Sequence, residues 1–290
     1  MTHATSSVYR APQARKRLNL GLRYFALSFF SLIFVSPILF MIIGSFKPNE
    51  KIFDGLSSIL PTDLSFNNYT TVIARFNDPA SGYFANFYLT SAIVAFVVVV
   101  GGLVVNSMAA YALARLRWVG RDIILGVVVV LIILPFEAIV VPLFFMLNGM
   151  ANTYQVQFIP FIANALSIFL FYTFFVSLPA EIQESARLDG AGPFRVFFSI
   201  IVPMSKPVFA SVTILTFLGA WSSYLWPLMV VNSPSVRPLP LEIATFKAQP
   251  PTDWGQLFAF GVLLIIPVMI VFIAFQRWFI QSVAGSAVKG

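Results

Sequence analysis

The chain has 290 residues, 59 % of them hydrophobic and only 10 % charged, with a net charge of +7 and a mean hydropathy of +0.88. That leaves too little polar surface to cover a globule, so an ordinary soluble core is excluded and lipid is the expected solvent. There is no cysteine, and the single histidine is His3, which excludes disulfides, thiolate metal sites and histidine-based catalysis within a membrane.

Six apolar runs reach the ~20 residues needed to cross ~30 Å of hydrocarbon. They are Tyr24 to Ser45, Ser91 to Ala114, Ile123 to Leu147, Val156 to Leu178, Val208 to Val231 and Leu257 to Phe275. The basic stretch and the run after it are expected to be the start of a first membrane helix rather than a secretory signal, because the run exceeds a typical apolar signal region and lacks a convincing small-x-small cleavage site. With the N-terminus inside, thirteen Lys and Arg residues fall on the cytoplasmic side, and only Lys47, Lys51, Arg75, Arg237 and Lys247 fall outside. This positive-inside bias places both termini in the cytoplasm and makes nucleic acid an unexpected partner. The expected organisation is a cytoplasmic segment at 1–23, a six-helix membrane domain at 24–280 and a cytoplasmic tail at 281–290. The loops at 46–83 and 232–256 are external, and the loop at 179–207 is cytoplasmic.

In chain order, the first external loop carries turn residues, and its "NNYTTVIARF" suits a short amphipathic surface helix. Prolines at 37, 135, 142, 160, 227 and 267 fall inside expected spans, where local repacking tolerates them. Pro135 and Pro142 flank Glu137, an acidic residue well inside a span. It is expected either to hydrogen-bond a broken helix, the favoured reading, or to meet solute. Asn106, Asn164, Ser222, Ser223 and Tyr224 either meet sugar hydroxyls or bond between helices. Trp226 suits an interfacial aromatic belt, whereas Trp221 suits a belt or a sugar-stacking surface. The last external loop, rich in proline, is expected to be ordered and partly extended.

The segment "ESARLDGAGPF", Glu184 to Phe194, is out of character with its surroundings. Pro179 predicts the first turn of a helix, and Gly190 the left-handed cap that ends it. Pro193 starts a second helix with Phe194, Phe197, Phe198 and Ile201 at helical spacing, closed by Pro203 and Pro207. A bare loop needs neither this punctuation nor small residues at Ser185 and Ala186. A docking knob does, with Glu184, Arg187 and Asp189 as its polar contacts.

"EIQESARLDGAGPFRVFFSIIVPMSKP" closely resembles the EAA motif of ABC-importer permeases. Glu184, Ala186, Asp189, Gly190, Ala191, Phe197, Ile200 and Pro203 match, while Ser185 and Val202 depart from the pattern. "GSFKPNEKIF", "MAAYALARLRWVGRD", "FLGAWSSYLWPL" and the terminal "GSAVKG" extend the resemblance to the MalG-like carbohydrate permeases. Ser222 and Ser223 stand where related permeases usually have Asn and then an acidic or amide residue, so a sugar contact there is not carried over.

The resemblance implies an all-α membrane protein with the MetI-like, ABC type I importer permease fold: six transmembrane helices and a cytoplasmic coupling helix. It places Glu184, Ser185, Ala186, Asp189, Gly190 and Ala191 against an ATPase. No G-x-x-x-x-G-K-[ST] occurs in this chain, so no cofactor is expected and ATP belongs to a partner. The implied partners are an ABC ATPase dimer, a second homologous permease and an extracytoplasmic solute-binding protein that delivers a small carbohydrate, in a bacterial inner membrane. Alternatives are a glycerol-phosphate-type or other polyol solute, or a stand-alone ion-coupled carrier. The carrier would need paired carboxylates and an inverted repeat that the sequence lacks. A membrane enzyme would need convergent acid, base or metal groups, also missing from it.

Overall fold

Helices α1 (Gln13–Gly44), α3 (Phe84–Arg115) and α14 (Trp254–Ala287) are long, unbroken and apolar, as the sequence requires. The computed structural model describes residues 13–248 and 251–287. His3, Arg10, Lys289 and the last residues of the expected tail lie outside the described residues. Five spans pass by length and hydropathy, and a sixth passes if a pair of helices bent by 104° counts as one.

The chain divides into two units. The first comprises residues up to 69 together with 253–259. In it α1 leads into 3-10 turns at Asn49–Lys51 and Gly55–Ser58 and the start of α2 (Asn67–Arg75). Asn68 donates to the carbonyls of Ser45 and Lys47 at 2.9 and 2.7 Å, and the Trp254 N–H donates to Asn49 Oδ1 at 2.9 Å. Phe40 packs on Phe258, and Phe46 on Phe66 and Tyr69.

The second unit covers 70–252 and 260–290. It begins with a two-stranded antiparallel hairpin, β1 (Asn77–Asp78) and β2 (Gly82–Tyr83), which an all-helical reading did not anticipate. Asp78 builds its turn by accepting from the Ala80 and Ser81 N–H groups and the Ser81 hydroxyl. These bonds hold its carboxyl below the usual range. Helix α3 is the central post of this unit and packs most extensively against α7, α11 and α6.

The third expected span is the bent pair, α4 (Arg121–Ile133) and α5 (Phe136–Leu147), with Pro135 as the N-cap of α5. The fourth is α6 (Tyr154–Ile162) and α7 (Ala165–Ser177), interrupted at Ala163–Asn164. Three short helices then form the projecting segment: α8 (Ala180–Leu188), α9 (Pro193–Val196) and α10 (Val202–Met204), with a π turn at Phe197–Ile201 between the last two. The fifth span is α11 (Lys206–Trp221) and α12 (Leu225–Val230). Prolines 37, 142, 160, 227 and 267 lie within helices, so of the six only Pro135 marks the 104° bend.

Two expectations are corrected here. The proline-rich loop is extended at Ser233, Arg237 and Pro238, but it carries helix that was not expected: a 3-10 turn at Pro234–Val236 leads into α13 (Leu239–Lys247). Pro234 and Pro240 lie in first turns, where no N–H is required, and Pro238 is the N-cap of α13. Arg237 bonds the buried Glu242 at 2.7 Å; burial pushes this carboxyl above the usual range and Arg237 pulls it back. Nor is Trp226 a belt residue. It is 1 % exposed, donates to the Val156 carbonyl at 2.8 Å, and centres a core with Val140, Val230 and Leu241.

Candidate coupling knob and pathway cavity

The knob at 180–204 is built on a single glycine. Gly190 has φ +78°, its N–H bonds the Arg187 carbonyl at 3.0 Å, and the Ala191 N–H reaches back to the Ala186 carbonyl at 2.9 Å. These are the two bonds of a Schellman cap, with Ala186 and Ala191 at the positions that usually touch across it. A β-carbon at 190 would strain the left-handed backbone by about 1–2 kcal/mol. Pro193 then opens α9 in its first turn, as the spacing predicts.

Ala186 and Ala191 serve a different purpose from the one expected of them. They pack inward against the core of Tyr111, Phe175, Val196 and Phe197, so their small size seats the knob on its own bundle. Ser185, facing outward, bonds the Glu181 carbonyl at 2.8 Å. Glu184 and Asp189 are exposed. The outer surface is apolar at its tip: Leu188 is 90 % exposed and Phe194 69 %. Pro203 does not end the second helix, which runs through the π turn to Met204 and breaks at Ser205.

The root of the knob is clamped. At the end of α3, Arg115 donates to the carbonyls of Phe175 and Leu178, the latter at 2.6 Å, just before α8 begins. A cation at the C-terminal end of α7 is favourable on dipole grounds as well.

The other expected site residues separate into two groups. Asn106 is a structural bridge: 1 % exposed, it donates to the Ile162 carbonyl at 3.0 Å and accepts from the Asn164 N–H at 2.9 Å. Trp221 is 2 % exposed, with its indole donating to the Leu264 carbonyl at 2.9 Å and packed on Phe217 and Tyr88, so it offers no open face for stacking. Ser222 bonds back to the Leu218 carbonyl at 2.5 Å. Tyr224 is 43 % exposed. Glu137 is exposed in the first turn of α5 and has no hydrogen-bond partner among the described residues, so the expected bond to the broken helix is not made.

Asn164 and Ser223 instead share a cavity of about 230 Å³ with Gln157, Phe161, Ser167 and Thr216, and no residue lining it is charged. Gln157, Ser167 and Thr216 had not been singled out from the sequence. Each is one polar residue in an apolar run, and only the packing of α3, α6, α7 and α11 brings them together.

Helices long and apolar enough to cross a membrane, interrupted spans and a cavity lined by apolar and uncharged polar side chains are features that suit a membrane transport protein. The chain belongs to the family of binding-protein-dependent transport system inner membrane components, whose model matches residues 106–285. It is 32 % identical to the arabinooligosaccharides transport system permease protein AraQ of Halalkalibacterium halodurans, over 91 % of this chain and 94 % of that one. It is 32 % identical to the diacetylchitobiose uptake system permease protein NgcG of Streptomyces coelicolor, over 97 % and 91 %. It is 30 % identical to the sn-glycerol-3-phosphate transport system permease protein UgpE of Brucella abortus, over 87 % and 91 %. The fold matches, at TM-score 0.79 and 23 % identity, a chain of a bacterial ABC transporter involved in the import of the acidic polysaccharide alginate. The match covers 96 % of this chain and all of that one.

Proposed function

We propose that this permease subunit forms half of the translocation pathway of a carbohydrate importer and works by alternating access, driven by a separate ABC ATPase dimer docked on the 180–204 knob. One observation carries the reading. Leu188 and Phe194 are held out at 90 % and 69 % exposure by a capped turn whose inner side is rooted in the core. Apolar side chains held outward on so well-fixed a support favour a protein partner.

A second homologous permease would complete the pathway, and a solute-binding protein would load it from the opposite end. ATP would be bound by the ATPase alone, and the permease would hold no cofactor. The distribution of Lys and Arg supports both termini lying in the cytoplasm of a bacterial inner membrane. The arabinooligosaccharide and diacetylchitobiose relatives support a sugar as the solute.

The test is Leu188→Asp beside Gly190→Val in the complete transporter. Leu188→Asp changes only an exposed tip and is expected to release the ATPase or uncouple its hydrolysis from solute. Gly190→Val deforms the cap with the same result. Wild-type assembly and solute-stimulated hydrolysis in both variants would refute the docking assignment.

A further inference from the structure

The cavity lined by Gln157, Phe161, Asn164, Ser167, Thr216 and Ser223 has the chemistry of a ligand site, and its polar groups are incompletely used. Gln157 is 3 % exposed. Its Nε2 donates to the Val236 carbonyl at 2.8 Å and the Thr153 carbonyl at 3.3 Å, which fixes the amide and leaves Oε1 buried without a partner. The Asn164 side-chain oxygen caps α7 through the Ser167 N–H at 2.9 Å, so its Nδ2 donors remain. Thr216 turns its methyl toward Gly102, and neither its hydroxyl nor that of Ser223 has a partner among the described residues.

We infer that this cavity is a solute-contact site within the subunit that takes one ring of a neutral sugar, with hydroxyls accepting from Asn164 and with Thr216 and Ser223 serving either direction, while Gln157, its amide held by Val236 and Thr153, shapes the wall. This rests on the importer reading above and narrows it. The volume of about 230 Å³ equals roughly eight waters at ~30 Å³ each, which is the scale of one ring rather than a chain of them. Phe161 supplies the apolar surface that the C–H face of a ring needs. The charge argument decides the class. No lining residue is cationic, so a phosphate or carboxylate entering here would lose its water without gaining a counter-charge. The site therefore discriminates against glycerol-phosphate-type and acidic solutes.

The complete complex, with partner permease, ATPase and solute-binding protein, is reconstituted in vesicles. It is offered a panel of neutral mono-, di- and trisaccharides and glycerol 3-phosphate. Wild type is expected to take up a neutral sugar in preference to glycerol 3-phosphate. With loaded binding protein saturating, Thr216→Val, which keeps shape, and Asn164→Asp, which keeps the cap but loses the donors, are each expected to lower uptake about fivefold, as the loss of one or two hydrogen bonds implies. ATP hydrolysed per sugar moved is expected to rise, whereas a purely structural defect would lower uptake and hydrolysis together. Thr216→Ser, which restores the hydroxyl, is expected to recover uptake to within about twofold of wild type.

Sugar uptake unchanged in both variants would overturn the cavity assignment and leave the importer reading intact. Preference for glycerol 3-phosphate would overturn the neutral-ligand claim alone. Energised uptake of no solute in the panel would overturn the importer reading, and this inference with it.

Discussion

The chain interrupts three of its membrane spans, and it treats the breaks in the third and the fourth differently. Between α6 and α7 the helix stops at Ala163–Asn164, yet the pair still reads as one span of 24 residues. The backbone groups flanking that gap are met by one buried side chain: Asn106 of α3 takes both the Ile162 carbonyl and the Asn164 N–H, and Asn164 recaps the helix that follows. Between α4 and α5 no side chain among the described residues caps the new helix, Leu134 is extended, and the pair bends by 104°. A broken helix in lipid keeps its line when a neighbour takes over its orphaned backbone groups. Where a proline removes an N–H and no neighbour intervenes, the chain turns away.

Four substitutions break or sharpen this contrast. The largest effect is expected from Asn106→Leu, which fills similar space but leaves the carbonyl of Ile162 and the N–H of Asn164 unmet. A loss of about 2 kcal/mol or more is expected from two buried orphans. It should be visible as a lower melting temperature of the purified transporter and faster hydrogen exchange in α6 and α7. An unchanged melt would show that the bridge is incidental.

Gly102→Val comes next, because a β-carbon at 102 already stands 3.3 Å from both Asn106 Nδ2 and the Ile162 carbonyl oxygen. Overpacking of about 1–3 kcal/mol is expected, and the double variant with Asn106→Leu should cost less than the sum of the two. Strict additivity would mean that the two residues act separately.

Pro135→Ala is expected to cost under about 1 kcal/mol, since it removes no bridging contact. Spin-label distances between α4 and α5 should nevertheless broaden or shift as the N–H returns. Distances identical to wild type would assign the bend to packing rather than to proline.

The smallest effect is expected from Glu137→Gln. An exposed side chain with no partner among the described residues should change the stability of the subunit by no more than about 0.5 kcal/mol. A large destabilisation would reveal a partner elsewhere in the assembly.

The sequence made the apolar spans legible because lipid imposes a length and a polarity on them, and the knob because Pro179, Gly190 and Pro193 carry backbone geometry in their identities. Helices α3 and α14 nonetheless start at Phe84 and Trp254, before their apolar runs, because aromatic and polar residues can open a helix at an interface. The α6–α7 break was not legible. Pro160, which draws attention, lies inside α6, and the interruption falls at a residue whose partner is 58 positions away. The same limit hid the burial of Trp226 and the cavity. An indole suits an interface or a core equally until its donor is seen to reach the Val156 carbonyl. Gln157 is unremarkable until the cavity beside it exists. Helix α13 was obscured because a proline-rich loop suits extended backbone, whereas Pro238 and Pro240 stand at the N-cap and in the first turn of a helix.

The Arg115 clamp has a mechanical consequence. Its guanidinium holds the carbonyls of Phe175 and Leu178, and α8 starts only two residues beyond the second of these. A linker that short has no slack in which to absorb displacement. If the ATPase docks at Leu188 as proposed, a displacement of that tip would therefore be passed to the foot of α3 rather than absorbed in the linker.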